Sequence, residues 1–162
     1  MFEKNSYVIY KRDVCKIKDI IMKEKEYYVL VPLSDESLTI NLPTSNENDI
    51  RKIISKKEVE ELIEKIPNIE IISCDNDKLL EQEYKRLLSL YDHESLIKII
   101  KTTYVRNKNR LENKRKIGEK DSTYFKKAEN MLYTEFSIAL NKSYEETEEY
   151  VKNKVEKSIN DN

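Results

Sequence analysis

The sequence predicts an α+β protein, in which a small antiparallel sheet or barrel is followed by a helical module. Residues 1–42 are rich in β-branched and aromatic residues, partly alternating with charged ones, which is typical of strands joined by short turns. From Ser55 onward, apolar residues recur at intervals of three and four, the period of an amphipathic helix. The change of period indicates three parts: residues 1–66 as a barrel with one covering helix, 67–76 as a linker, and 77–162 as a helical domain.

The strands are predicted from four segments: SYVIY (6–10), VCKIKDII (14–21), EYYVLVPL (26–33) and SLTINL (37–42). The intervening KRD, MKEK and SDE are short enough for hairpin connections, so neighbouring strands are expected to run antiparallel. RKIIS (51–55) is a possible fifth strand. Strands at this spacing indicate a small sheet or barrel.

The first helix is predicted to begin after Ser55. Ser55 and Glu58 have the spacing of a capping box, in which each side chain satisfies a free backbone N–H at a helix start. Val59 and three further apolar residues follow at helical spacing, and Pro67 disfavours helix at the preceding residue. A short amphipathic helix is therefore expected to close off the strand-rich part.

Four further helices are predicted in the rest of the chain, each with an apolar stripe expected to face the core. Asp92 is the predicted cap of the second of them, and Ser143 with Glu146 forms another capping box at the last. The predicted stripes are Leu80, Tyr84, Leu87, Leu88 and Tyr91; Leu96, Ile97, Ile100 and Tyr104; Phe125, Ala128, Leu132, Phe136 and Ala139; and Val151 with Val155.

Composition argues against an enzyme. The chain has one glycine, Gly118, which excludes the glycine-rich loops that hold phosphates, and it has no metalloprotease, C-x-x-C or nucleophile-elbow motif. The single histidine, His93, is interpreted as a helix-start residue, and Cys15 and Cys74 as reduced, partly buried thiols. No metal site and no cofactor is expected. No segment has the length and apolarity of a membrane span or a signal peptide, so a cytoplasmic monomer is expected.

Charge is unevenly distributed along a chain whose formal net charge is −1. Residues 98–127 carry eleven Lys and Arg against three acidic residues, a net charge of +8. Such a region could face phosphates, and Lys108, Arg110, Lys114, Arg115 and Lys116 are the candidate contacts. A solvated basic helix face without any partner is the alternative.

The order of these parts resembles the CarD/CdnL family of bacterial transcription regulators. The similarity is carried by a strand-rich start, the join LP…IRKIISKKEVEEL, and the helix KKAENMLYTEFSIALN with its long basic predecessor. It implies a Tudor-like or SH3-like barrel that docks on the β subunit of RNA polymerase. It also implies a helical domain that touches promoter DNA near the upstream edge of the −10 element and stabilises the open complex.

The resemblance assigns roles to particular residues. Those matching the family's polymerase-facing strands are Ile20, Ile21, Met22, Lys23 and Asn41. In the helical domain Leu80 stands where the family has a tryptophan that wedges at the minor groove, and Lys85 and Arg86 follow it on the same helix. The alternative function is a protein-interaction module that binds polymerase or another protein without contacting DNA; the acidic residues beside Leu80 favour it, and the basic region favours DNA binding.

Overall fold

The strands form one five-stranded antiparallel sheet, seen in a computed structural model that describes residues 1–160. The order across the sheet is β4-β3-β2-β1-β5, and the sheet curls into a half-barrel. The predicted α+β class is thereby confirmed. The strands are β1 (Tyr7–Tyr10), β2 (Asp13–Met22), β3 (Glu26–Pro32), β4 (Ile40–Pro43) and β5 (Ile50–Lys52).

The pairing register is interrupted once, on β2. Hairpin pairing joins β2 to β3 from Cys15 opposite Pro32 to Met22 opposite Glu26, with a shift of register between Ile17 and Asp19. A shift of this kind inserts an extra residue and bends the strand, which helps a small sheet to curl. On its other side β2 pairs with β1, whose first partner pair is Tyr7 with Lys16.

The concave side of the sheet buries its own apolar cluster. Tyr28 is fully buried in it, and its hydroxyl donates to Glu47 Oε2 at 3.0 Å and accepts from the backbone N–H of Phe2 at 3.1 Å. Both bonds satisfy a polar group that burial would otherwise penalise. The buried members of the cluster are Val8, Cys15, Ile17, Tyr28, Leu30, Leu42 and Ile50.

The remainder of the chain is helical. Its helices are α1 (Lys56–Lys65), α2 (Asp77–Leu90), α3 (His93–Glu112), α4 (Glu119–Leu140) and α5 (Tyr144–Asn160), with a short 3₁₀ turn at Ile66–Asn68. A second 3₁₀ turn, Thr44–Asp49, lies between β4 and β5. The predicted helix starts are confirmed: Ser55, Asp92 and Ser143 each accept a hydrogen bond from the backbone N–H three residues later. None of the helices within residues 1–160 is long and apolar enough to cross a membrane.

The helical unit is built around α3 and α4, which pack against each other. α2 packs on α3 and α4, α5 packs on α4, and α1 also packs on α4. The predicted inward stripes are buried at most positions, but Tyr91, Tyr104, Phe125 and Ala139 are only half-buried.

The contacts divide the chain into two units, residues 1–54 and 55–162. The helix α1 therefore falls with the other helices and not, as expected, with the barrel as its cover. The predicted linker also belongs to the helical unit, because its first residues are tied to α3. Lys101 Nζ donates to the carbonyl oxygens of Ile66 at 2.8 Å and Ile69 at 2.9 Å, and the N–H of Ile72 donates to Thr102 Oγ1 at 2.9 Å.

Candidate interaction surfaces

One stretch of β2 has a strand neighbour on one side only. Residues 20–22 pair with β3 on one side. On the other side, β1 pairs with β2 only up to Lys16, and no strand among residues 1–160 pairs with residues 20–22 there. A stretch of this kind can form backbone hydrogen bonds with an added strand. Met22 is 71% exposed there, and Lys23 follows in the exposed hairpin, where its N–H donates to the carbonyl of Lys25 at 3.0 Å.

The predicted polymerase-binding residues lie in one half of the sheet. Ile20 packs against the concave cluster, whereas Ile21, the next residue, faces the opposite side of the sheet and is half-buried. Asn41 is exposed on the edge strand β4 and pairs with Val29 of β3, which separates it from β2 by one strand. These positions can therefore contribute to one surface, with Ile20 serving mainly the core.

The predicted DNA wedge is in the core. Leu80 is 5% exposed on α2, close to Tyr84, so it does not project from the surface as a wedge between base pairs must. A DNA contact by Leu80 would require this side chain to leave the core, and the predicted contact stays a prediction. The sequence also placed Leu80 in the apolar stripe of α2, and the structure agrees with that prediction. Packing against the other helices therefore outweighs the match of Leu80 to the family's tryptophan position.

The two cations of α2 that were predicted to contact DNA are paired with neighbouring acids. Arg86 Nε donates to Glu83 Oε2 at 2.9 Å, and Lys85 Nζ lies 3.7 Å from Glu81 Oε1. Both cations stay exposed on the helix surface. Their local partners reduce the charge that they can present to phosphate.

A buried carboxylate in the helical unit is held by several donors. Asp121, on the first turn of α4, is 2% exposed. It accepts hydrogen bonds from the hydroxyl of Tyr84 at 2.8 Å, from Arg106 Nε at 2.9 Å and from Arg110 Nη1. Burial opposes ionisation of Asp121, but the bonds from Arg110, Tyr84 and Arg106 outweigh it and hold its pKa below the usual value. The predicted phosphate contact Arg110 therefore already has an anionic partner within the fold.

Gly118 leaves room for the Arg110 guanidinium in this arrangement. A Cβ atom at Gly118 would lie 2.6 Å from Arg110 Cζ, so any other residue there would push the guanidinium group away from its present position. The N–H of Gly118 donates to Asn107 Oδ1 at 3.1 Å, and that oxygen also accepts from Arg110 Nη1 at 2.7 Å. The glycine therefore lets the loop pass over the guanidinium group, which no glycine-motif rule would have found.

The loop between α3 and α4 retains the exposed cations. Lys114, Arg115 and Lys116 are all exposed, and Lys114 has a positive φ of 57°. The N–H groups of Lys114 and Arg115 donate to the carbonyls of Leu111 at 3.1 Å and Arg110 at 2.7 Å. The loop is thus held against the end of α3, and these three side chains are the best placed of the predicted DNA contacts. Lys108, on α3, is half-buried and donates to Asn160 Oδ1 at 3.1 Å.

Two features bear on catalysis and metals. His93 is the first residue of α3, as its interpretation as a helix-start residue requires, and its Nε2 lies 3.0 Å from Oε1 of the buried Glu135. Within residues 1–160, no group of three or more histidine, cysteine or acidic side chains is arranged to hold a metal.

The two cysteines differ in exposure. Cys15 is buried, and burial is the main cause that raises the pKa of its thiol to about 11. Cys74 is exposed, contrary to its expected partial burial.

Sequence reasoning missed the roles of Asp121 and Lys101. The signal for Asp121 was available, because it lies three residues before Tyr124 and seven before Ala128, on the inward face of α4. The burial of Lys101 was harder to predict, because the long side chain of a lysine in an apolar stripe usually carries its ammonium group out to water.

Comparison with models of known protein families gave no match, and comparison with curated protein sequences gave none either.

Proposed function

We propose that this protein is a transcription regulator of the kind found in the CarD/CdnL family, and that it binds the β subunit of bacterial RNA polymerase in the cytoplasm. The polymerase-binding surface is the free side of β2 at residues 20–22, with Lys23 and Asn41 beside it. In this proposal the curled sheet serves as the Tudor-like barrel of that family, and the protein acts without catalysis or cofactor.

The observation that carries the proposal is the unpaired stretch of β2. The resemblance selected residues 20–23 by position, and the pairing pattern leaves residues 20–22 without a strand on one side. The N–H of Ile20 already donates to Asp19 Oδ1 at 2.9 Å, so an added strand would have to replace that bond. Backbone hydrogen bonds across such an edge provide affinity, and side chains such as Met22 and Lys23 provide specificity.

Polymerase binding is tested by titrating the isolated β lobe with Lys23→Glu and with a matched control, Lys52→Glu. Lys52 is exposed on β5, at the opposite edge of the same sheet, so both changes alter net charge equally. We expect Lys23→Glu to weaken binding by about tenfold, the effect of about 1.4 kcal/mol, and Lys52→Glu to leave it unchanged. Equal affinities of the two variants would rule out this surface.

For the helical unit we propose contact with promoter DNA through Lys114, Arg115 and Lys116, in place of the family's wedge. Three phosphate contacts would lower log K by about 2.7 for each tenfold rise in salt, at about 0.9 per contact. The contact would matter chiefly when polymerase holds the protein beside the promoter and so raises its effective concentration.

The second candidate is an interaction module that binds polymerase without touching DNA. Burial of Leu80 and the pairing of Arg110 with Asp121 favour it. Open-complex lifetime on one promoter separates the two candidates when the wild type is compared with a triple alanine variant at residues 114–116. A shorter lifetime with unchanged polymerase affinity supports DNA contact, and an unchanged lifetime supports the module.

A further inference from the structure

Two polar contacts join the last turns of α5 to the second half of α3. The hydroxyl of Tyr104 is hydrogen-bonded to the carboxylate of Glu156, and Lys108 Nζ donates to Asn160 Oδ1 at 3.1 Å. Tyr104 and Lys108 are four positions apart on α3, and Glu156 and Asn160 are four positions apart on α5. Both contacts therefore lie on one face of each helix, close to the point where α3 ends.

Apolar packing holds α5 in addition to these polar contacts. Val151 and Val155 are each 1% exposed, and α5 packs on α4 and on the 3₁₀ turn Ile66–Asn68. Glu156 is half-buried and Asn160 is exposed, so both lie at the rim of that packing. Exchange of their contacts with α3 therefore leaves the apolar packing of α5 in place.

The contact with Asn160 restrains a cation that lies close to the proposed phosphate contacts. Lys108 is four residues before the end of α3, about 6 Å along the helix axis from the start of the loop with Lys114, Arg115 and Lys116. Duplex DNA carries one phosphate charge per about 1.7 Å of its axis, so one stretch of duplex can meet both places. Lys108 is nevertheless half-buried, whereas the three loop cations are exposed.

Negative charge lies on both sides of Lys108 along α3. Glu156 contacts Tyr104 one turn before it, and Glu112 follows one turn after it. Burial is the main cause that raises the pKa of Tyr104, and the charge of Glu156 is the next cause. A phosphate that approaches Lys108 would therefore be repelled by these carboxylates as well as attracted by the lysine.

We propose that the end of α5 makes an autoinhibitory contact, in which Asn160 holds Lys108 and Glu156 repels phosphate. DNA binding is thereby limited to the three loop cations, and release of the contact adds Lys108 to the phosphate-binding surface. This regulation rests on the proposed DNA contact of Lys114, Arg115 and Lys116, because it acts on that same surface.

The experiment compares a released variant with a matched control. The released variant combines Glu156→Gln with Asn160→Ala. The control combines Glu149→Gln with Asn153→Ala, which are the same two changes seven residues earlier on α5, where both residues are exposed. The two variants have equal net charge, so a difference between them reflects position. Affinity of the full-length protein for a fluorescent promoter duplex is measured by anisotropy at several salt concentrations, and circular dichroism checks that each variant is folded.

The released variant should bind the duplex about eightfold more tightly than wild type at about 0.1 M salt, because one added phosphate contact contributes about 0.9 to log K for each tenfold fall in salt from about 1 M. Its plot of log K against log salt should steepen by the same 0.9 or so, whereas the control should keep the wild-type slope. Lys108→Ala should have little effect in wild type but should abolish the gain of the released variant, since the cycle isolates the coupling between Lys108 and α5.

Equal slopes for the released and control variants would overturn the autoinhibitory contact. A gain that persists without Lys108 would also overturn it, because the gain would then come from another part of the protein, and so would a full loss from Lys108→Ala in wild type. The triple alanine variant at residues 114–116 tests the proposed function separately. If it loses affinity while the released variant gains none, DNA contact stands and the autoinhibition is wrong. If it binds as wild type does, both are wrong.

Discussion

Replacing Asp121 by asparagine tests the buried carboxylate that joins α2, α3 and α4. The substitution keeps the shape of the side chain but removes the charge that accepts bonds from Tyr84, Arg106 and Arg110. Bonds to a charged group contribute about 1.5–3 kcal/mol each when buried. The Arg106 and Arg110 side chains are 33% and 25% exposed, so water partly compensates for their loss. We therefore expect a total loss of about 3 kcal/mol in the free energy of unfolding of the helical unit.

The assay is urea unfolding at pH 7, followed by ellipticity at 222 nm, which reports mainly on the helices. Asp77→Asn is the matched control, because Asp77 also pairs with Arg106, at 3.3 Å, but is 79% exposed. That change should cost less than about 1 kcal/mol, as exposed ion pairs do. The difference between the two variants should disappear in acid, because the depressed pKa of Asp121 contributes stability above its ordinary value of 3.8 and loses it as pH falls through the folded value. Equal costs for the two substitutions at pH 7 would refute the reasoning.

Three further predictions concern the helical unit. Gly118→Ala should destabilise it by about 1–3 kcal/mol in the same urea assay, because the new methyl group displaces the Arg110 guanidinium, and an unchanged midpoint would contradict this. Burial is the main cause that raises the pKa of Glu129 to about 6. The free-energy cost of burying the charged carboxylate is therefore absent below the ordinary pKa of 4.5 and complete above about pH 6. Glu129→Gln should stabilise the protein by about 1 kcal/mol at pH 7 and by nothing at pH 4, measured as thermal midpoints. Lys101→Met should speed amide hydrogen exchange in residues 66–72, because the carbonyl of Ile66 loses its ammonium donor, whereas unaltered exchange would show that this anchor is dispensable.

Local pattern was sufficient for most elements. The predicted strands at 6–10, 14–21 and 26–33 correspond to β1, β2 and β3, and the fifth strand was confirmed in shorter form at Ile50–Lys52. The first predicted residues of the fourth segment, 37–39, lie before β4, which begins at Ile40. Here Asp35 accepts hydrogen bonds from the N–H and hydroxyl of Ser37, so a turn takes the place of the strand.

The sequence by itself determined the α+β class, the change from sheet to helix at Ser55, the capped helix starts and most of the inward stripes. These depend on side chains a few residues apart, whose spacing is legible without the fold. The tertiary structure decided that α1 belongs with the helices, that Leu80 lies in the core, and that Arg110 pairs with Asp121 instead of facing solvent. It also decided which part of β2 lacks a neighbour. The physical reason is that burial and ion pairing depend on groups brought together from distant parts of the chain. A spacing rule cannot tell whether an apolar residue packs in the core or contacts a partner, or whether a charged residue is paired within the fold or exposed.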